Sequence, residues 1–530
     1  MSLALDSLLE SNDAPLPSQR TLVEDILREG QAKLSALEGT ISTIESTLQN
    51  LRSKHADLTS EMNQYRCILS PIRHIPPEII EEIFLYFAPS MHPDWDLRNP
   101  ASAMFPQTLG NVCCTWRTIA FSLSELWSVV DLGSPVRPLV ECREGSPAKK
   151  DESYFTELPS GNDPREYQEG YEVEAALDFV TQCLSRSGDR LLSLRLWTQP
   201  FMTLPLLEAL LTQSARWSEL VLIRSGGPFS PSSMPLSQFT DDFQQLRKIA
   251  FADCYIDNFE LKRVPSLTEL TLDNVSLPME IHLHIPWSQL TRYCEIDCAW
   301  WSSQLASYRQ LTNLVELSLK LYHEPERDGA PILLPRLRKA SFDFDRWAPD
   351  FVQSLEMPAL EVLRIKHAAN ENHSSLPVPL SSPHLKILHI QIRYMSASRG
   401  ELERALERYP DLTEITIDAP DVISNTDIMR LILSRNQSFL LAPKLEIMRL
   451  SNRSFIHRAC EWRTLRNMLE GRFQPTMEGL STLQTFELAT NDWAMDENVT
   501  VALKQLGSRN QWDIRTSHQP DFPAWDELHL

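Results

Sequence analysis

The sequence predicts an α+β chain built in series from a long N-terminal helix, a small all-α module and a long α/β array of repeats. Three observations predict it. Apolar residues recur on a seven-residue spacing between positions 19 and 69. Two apolar stripes with helical spacing, each with its own start signal, follow between Ser70 and Leu132. From Arg190 onward one short apolar phrase returns twelve times. A chain of 530 residues exceeds what one compact core needs, so several modules or a repeat array are expected.

Composition narrows the function classes. Hydrophobic residues make up 42% of the chain, and the net charge of −21 favours solubility. A polyanion repels phosphate backbones, so neither nucleic acid nor an anionic membrane surface is an expected partner. No run of eighteen apolar residues exists, so no membrane span is expected. The opening MSLALDSLLESND lacks a basic n-region and a cleavage site, so no secretory signal is expected either. The nine cysteines are odd in number and never form a CxxC pair, which fits reduced thiols in the cytoplasm or nucleus.

Residues 1–18 are polar and contain proline, and read as a disordered lead. From 19 to 69 no proline interrupts the chain. One set of heptad positions holds Leu27, Leu34, Ile41, Leu48, His55, Met62 and Leu69. The alternate set holds Val23, Gly30, Leu37, Ile44, Leu51, Leu58 and Tyr65. This spacing draws one narrow apolar seam along a helix, the signature of a coiled coil, weakened at Gly30 and His55. Such a seam needs a partner. Parallel self-association into a homodimer and docking back on the following module are both open, and the flanking charges fix neither partner nor orientation.

The module from 70 to 132 opens with SPIRHIPPEIIEEIFLYFAPS. Pro76 and Pro77 suit a first helical turn, where a missing N–H costs nothing. Ile79, Ile80, Ile83, Phe84 and Phe87 then recur at three- and four-residue intervals until Pro89 ends the run. After a polar insert, Met91 to Gln107, a second stripe holds Leu109, Val112, Cys113, Trp116, Ile119 and Ala120, closed by Leu126 and Trp127. The order Ile75-Pro76-Pro77-Glu78, Ile83-Phe84, Val112-Cys113-Cys114-Thr115-Trp116-Arg117 and Leu126-Trp127 resembles the F-box, a small three-helix module. Ile75 stands where that family has leucine, and Cys114 where it has arginine. By the resemblance, the module docks on a Skp-type adaptor through Ile75, Pro76, Glu78, Ile79, Ile83, Phe84, Val112, Cys113, Trp116, Leu126 and Trp127. Some of these must instead hold the module's own core, and the sequence does not sort the two sets.

Residues 133–170 carry Pro, Glu, Asp, Lys and Ser with little periodicity and read as a flexible linker. A helical stripe, Val173, Ala176, Leu177, Val180, Thr181 and Leu184, ends at Ser187-Gly188. The phrase then begins at Leu191-Leu194-Leu196: a leucine, two residues, an apolar residue, one residue, an apolar residue. Clear later copies include Leu267-Leu270-Leu272, Leu314-Leu317-Leu319 and Leu360-Leu363-Ile365. The intervals run mostly between 21 and 29 residues and stretch in the last two steps. At Leu290-Tyr293-Glu295 the phrase blurs, and Ile296 is the candidate for the apolar role. Alternation within the phrase sends its apolar residues into a shared core that no single unit could bury alone. Period and phrase resemble the leucine-rich repeat. That family implies a solenoid over 171–515, lined by a curved parallel sheet, with 516–530 as a tail. The asparagine or cysteine expected three places after the phrase is clear only at Cys254, Cys298 and Asn491, so the solenoid should be irregular.

Residues interleaved with the apolar ones should face outward on the sheet. Glu269, Thr271, Asp273, Lys320, Lys339, Arg364, Lys366, His389 and Glu414 are the candidates for binding a protein target. Their sign changes along the array, which suits a shaped protein better than a uniform polyanion. No phosphate-binding glycine loop, nucleophile elbow or HExxH occurs. His282 and His284 share a strand face without a carboxylate or cysteine cluster, and Trp300 and Trp301 read as packing residues. No catalysis, cofactor or metal is expected. F-box followed by leucine-rich repeats resembles the substrate receptors of cullin–RING ubiquitin ligases, which implies a Skp-type adaptor, cullin and RING subunits and a protein target as partners. A scaffold that binds the adaptor without delivering a target is the second reading.

Overall fold

The computed structural model describes residues 14–86, 105–132, 166–197, 204–223, 243–254, 263–275, 285–298, 304–321, 330–344, 349–367, 378–379, 382–392, 401–419, 423–431, 441–451, 461–475, 479–489 and 497–517. Pro89, most of the Met91–Gln107 insert, His282, His284, Trp300, Trp301 and Asn491 lie outside the described residues, as do 1–13 of the lead, 133–165 of the linker and 518–530 of the tail. Two compact units are present, Met1–Glu82 and Ile83–Leu530.

Helix α1, Pro17–Ile68, covers the heptad segment in 52 residues, a rod of about 78 Å at 1.5 Å per residue. Proline at its first position and none after it allow the uninterrupted run. It stops where Ser70, held extended by Pro71 (φ −60°, ψ 129°), leads into a 3-10 turn at Pro71–His74. Helix α2, Pro77–Tyr86, starts at the predicted proline with Glu78 in its first turn, a favourable place for a carboxylate.

The second predicted stripe does not form one helix. It divides into α3, Phe105–Gly110, and α4, Cys114–Ser122, with a turn between them. Cys113 caps α4 in extended conformation, its sulfur accepting from the Trp116 N–H at 3.4 Å. Gly110 lets the Phe121 ring approach closely: a Cβ there would stand 2.9 Å from the ring, and one of the two would have to shift. A 3-10 turn, Ser124–Trp127, follows, and the chain passes directly into a strand.

The strands are β1 (Val129–Leu132), β2 (Leu192–Trp197), β3 (Trp217–Ile223), β4 (Lys248–Ala252), β5 (Glu269–Asp273) and β6 (Arg292–Ile296). Then come β7 (Glu316–Leu321), β8 (Ile332–Leu333), β9 (Lys339–Phe344), β10 (Leu355–Glu356) and β11 (Val362–His367). The series ends with β12 (Ile387–Ile392), β13 (Glu414–Asp418), β14 (Ile447–Ser451), β15 (Thr485–Ala489) and β16 (Asp513–Ser517). All but β8 and β10, which pair with each other, form one parallel sheet of 14 strands in which each strand lies beside the next in sequence. A new strand every repeat, always added on the same edge, is what stacked units of this length produce.

The sheet therefore begins at β1, ahead of the linker segment: Val129–Leu132 pairs with Ser193–Leu196. Helix α5, Glu166–Arg186, packs on the 3-10 turn and on β1. Among the described residues, connections between strands carry helices from five residues (Gln304–Tyr308) to twenty-one (α5), so the units are irregular on that side.

Register explains the core. The two inward positions of each phrase stack as rows: Leu220, Ile249, Leu270, Tyr293, Leu317 in one, and Leu222, Phe251, Leu272, Glu295, Leu319 in the other. All are buried. The apolar role expected of Ile296 is corrected here. Strand alternation gives the inward place to Glu295, which is 0% exposed, and turns Ile296 to the opposite face. The carboxylate is tolerated because the Tyr293 and Tyr308 hydroxyls donate to it at 2.7 and 2.8 Å.

Strand ends are held by a ladder the repeat phrase did not predict. Asp253, Asn274 and Asp297 each follow a strand with φ near +50°, a region that Asn and Asp enter more readily than most side chains. Their N–H groups donate to Asp273, Ile296 and Lys320 carbonyls, one strand on, at 2.7 to 2.9 Å. Cys254 and Cys298 sit beside them, each thiol directed at the carbonyl of the preceding strand, Leu222 and Leu272, at 3.5 Å. Their place in the turn accounts for them structurally.

Candidate functional site

The motif residues between 75 and 127 divide by burial. In the first unit Ile75 is half-buried, whereas Pro76, Glu78 and Ile79 are exposed. In the second unit Ile83, Val112 and Cys113 are exposed and Trp116 is half-buried. Phe84, Leu126 and Trp127 are buried at 2%, 2% and 0%. These three are core, which corrects their assignment to a docking surface.

The packing shows why. The Phe84 ring meets Trp116 edge to face, centroids 5.0 Å apart. Trp127 donates from Nε1 to the Ala120 carbonyl at 2.8 Å and stands edge-on to Phe121. The Arg186 guanidinium of α5 covers both Phe121 and Trp127, at 3.8 and 4.5 Å from their ring centres. Below them Asp131 and Arg195, opposite each other in β1 and β2, form an ion pair at 3.7 Å with both side chains 1% exposed. Arg190 also pairs with Glu125, tying the 3-10 turn to the start of β2. Ile79 and Ile83, one turn apart on α2, are left with 51% and 40% of their surface in solvent, and Val112 with 59%.

The nine sheet residues read as target-binding all face away from the inner rows, in three rows of their own. Asp273, Arg364 and His389 are nevertheless buried, at 8%, 8% and 6%, and do not stand free in solvent as expected. Neighbouring strands lie close to 4.8 Å apart, so side chains of one row shield each other.

The charge pattern also differs from the expectation. One row runs Glu219, Lys248, Glu269, Arg292, Glu316, Lys339, alternating in sign at every strand. Arg292 reaches Glu269 at 3.5 Å and Glu316 at 2.9 Å, and Lys339 reaches Glu316 at 3.0 Å. Lys320 pairs with Asp297 at 2.6 Å and Lys366 with Asp343 at 2.9 Å. The sign changes from strand to strand and is largely neutralised on the sheet. Glu219, Lys248 and Arg292 escaped the sequence reading because the phrase was counted from its apolar members. Counting the residue just before the first strand apolar in each unit would have exposed the alternation.

Toward the end of the array the same face carries a tighter cluster. Arg364, His389, Thr416, Arg449 and Glu487 fall in one row, with Glu414 beside them. His389 Nε2 lies 3.0 Å from Glu414, and Arg449 pairs with Glu414 and, at 3.6 Å, with Glu487. Burial works to raise the Glu414 carboxyl, but the bonds from His389 and Arg449 outweigh it and bring it to about 2. Burial pushes the Arg364 guanidinium down, opposed by Glu414. These partners hold one another in place on the sheet, with Arg364, His389, Thr416 and Glu487 all buried.

Among the described residues no group of three or more His, Cys, Asp or Glu side chains is placed to hold a metal ion, and no helix is long and apolar enough to cross a membrane. Compared with protein-family models and with curated proteins, the chain finds no match.

Proposed function

We propose that this chain is the substrate-recognition subunit of a Skp–cullin–F-box ubiquitin ligase. In this reading residues 70–128, up to the start of β1, form an F-box that docks on a Skp-type adaptor, and through it on cullin and RING subunits. The strands that follow form an irregular leucine-rich-repeat solenoid, whose curved sheet face captures a protein target in the cytoplasm or nucleus. The chain itself makes and breaks no bonds. It raises the effective concentration of a target lysine near the charged ubiquitin carrier, to the order of millimolar for a short tether.

One observation carries the reading. Where the motif predicts adaptor contacts, α2 exposes two isoleucines on successive turns, while Phe84, Leu126 and Trp127 are spent on the core. Exposed aliphatic anchors on a rigid helix are what a buried interface centre is made from.

Affinity purification of the full chain followed by mass spectrometry tests it. The wild-type chain should recover a Skp-type adaptor, and the Ile79→Asp/Ile83→Asp double variant should lose it while unfolding at the same temperature. Phe84 is left intact because its substitution would damage the core. Equal adaptor recovery from both, or none from either, would remove the proposal. Adaptor binding without any change in ubiquitylated peptides would make the chain a scaffold.

A further inference from the structure

Helix α1 is the part of the molecule that the proposed function leaves unexplained. Its large apolar seam residues on the heptad positions are 46% to 62% exposed from Leu27 to Tyr65. A helix gains little stability from its own hydrogen bonds in water, and most of it must come from burying an apolar face. A 52-residue helix exposed along its length is an incomplete structure.

We infer that α1 is one half of a parallel, in-register two-stranded coiled coil formed with a second copy of this chain. The argument is one of layers. From Val23 to Leu69 the seam has fourteen core positions, of which Gly30 and His55 fit poorly. In the parallel arrangement each residue meets its own copy, so the two misfits occupy two layers. In the fully overlapped antiparallel arrangement Gly30 meets Met62 and His55 meets Leu37, each twice, and four layers are spoiled.

Flanking charges agree. In a parallel pair the residue before one core position faces the partner's residue five further on. That sets Lys33 against Glu38 and Glu61 against Arg66, each twice by symmetry, and creates no like-charge pair. Within the single chain Lys33 already pairs with Glu29 at 2.6 Å, but both side chains are about 70% exposed and the exchange costs little. The seam is thus complementary to itself in shape and charge. A second copy, held by a closed twofold contact, is the occupant it specifies.

Sedimentation equilibrium of the full chain should give twice 60.8 kDa, and the Ile41→Asp/Ile44→Asp variant should return to 60.8 kDa. The full chain carrying Leu58→Cys should become disulfide-linked under mild oxidation, beyond any background in the wild type, because position 58 then meets itself. An antiparallel pair would instead set residue 58 against Leu34, and the added cysteine would give no crosslink. A wild-type mass of 60.8 kDa at all concentrations, a dimer that survives the seam substitutions, or a dimer that fails to crosslink through position 58 would each overturn the inference. None of these readouts involves the adaptor, so this inference and the proposed function stand or fall separately.

Discussion

Glu295 and Tyr308 meet inside the apolar core of the sheet, carboxylate to phenol at 2.8 Å, both essentially without solvent. A second phenol, Tyr293, reaches the same carboxylate oxygen at 2.7 Å. The repeat that looks blurred in sequence is thus a regular strand with an acid in an apolar place, made tolerable by two aromatic donors.

Removing one donor leaves a buried carboxylate underbonded. Tyr308→Phe should destabilise the array by about 1.5–3 kcal/mol, the range for hydrogen bonds to charged groups. The shift of the urea midpoint measures it. Burial, and then the Glu295 charge, push both phenols well above the ordinary tyrosine range. Alkaline ultraviolet titration of the folded chain should therefore show a late-ionising class that turns early once urea unfolds it.

Glu414 predicts an acid-side effect. A carboxyl near 2 in the fold and near 4.5 when unfolded adds stability that is complete above about pH 4.5 and lost as the pH falls toward 2. The ceiling is about 3 kcal/mol at 1.36 kcal/mol per unit. Glu414→Gln should be less stable than wild type at neutral pH by up to that amount. The gap should close between pH 4.5 and 2, as read from denaturation midpoints across that range.

Trp127 tests the assignment of the closing Leu-Trp pair to the core. Trp127→Ala should cost about 3–5 kcal/mol as a large cavity. Trp127→Phe keeps most of the ring but loses the bond to Ala120, about 1 kcal/mol. Hydrogen exchange of peptides spanning α4 and β1 should accelerate strongly in the first variant and mildly in the second. No change in either would mean that the tryptophan is not a packing residue.

Arg292 tests the charge ladder. It lies between Glu269 and Glu316, so Arg292→Glu sets three carboxylates side by side. A loss of about 1–3 kcal/mol is expected, shrinking as salt screens the repulsion. Arg292→Met should cost no more than about 1 kcal/mol, because partly exposed pairs contribute little. Thermal midpoints at low and high salt separate the two.

The parts of the fold legible in sequence are those with a short repeating period. A seven-residue spacing marked the helix that spans Pro17–Ile68, and the two-residue alternation inside each phrase placed Leu270 and Leu272, or Leu317 and Leu319, on the buried face. Local periodicity is imposed by backbone geometry and survives in any context. The second stripe misled, because its spacing continued across the turn between Gly110 and Cys113, after which α4 starts afresh on the Cys113 cap. The candidate docking residues were found as a motif but not sorted, since Ile83 and Phe84 are neighbours in sequence and differ only in which side of α2 meets Trp116.

By itself, then, the sequence determined the approximate span of the first helix, twelve of the fourteen strands of the sheet with the inward faces of most of them, and the consecutive stacking that follows from near-constant repeat length. Tertiary structure alone decided that Glu295 lies inward, that Glu219 through Lys339 cancel one another's charge, that the array begins at Val129, and that Trp127 is core. The division has one cause. Backbone period is written within a few residues, whereas burial and ion pairing depend on neighbours one repeat away, at a distance the chain's local pattern does not encode.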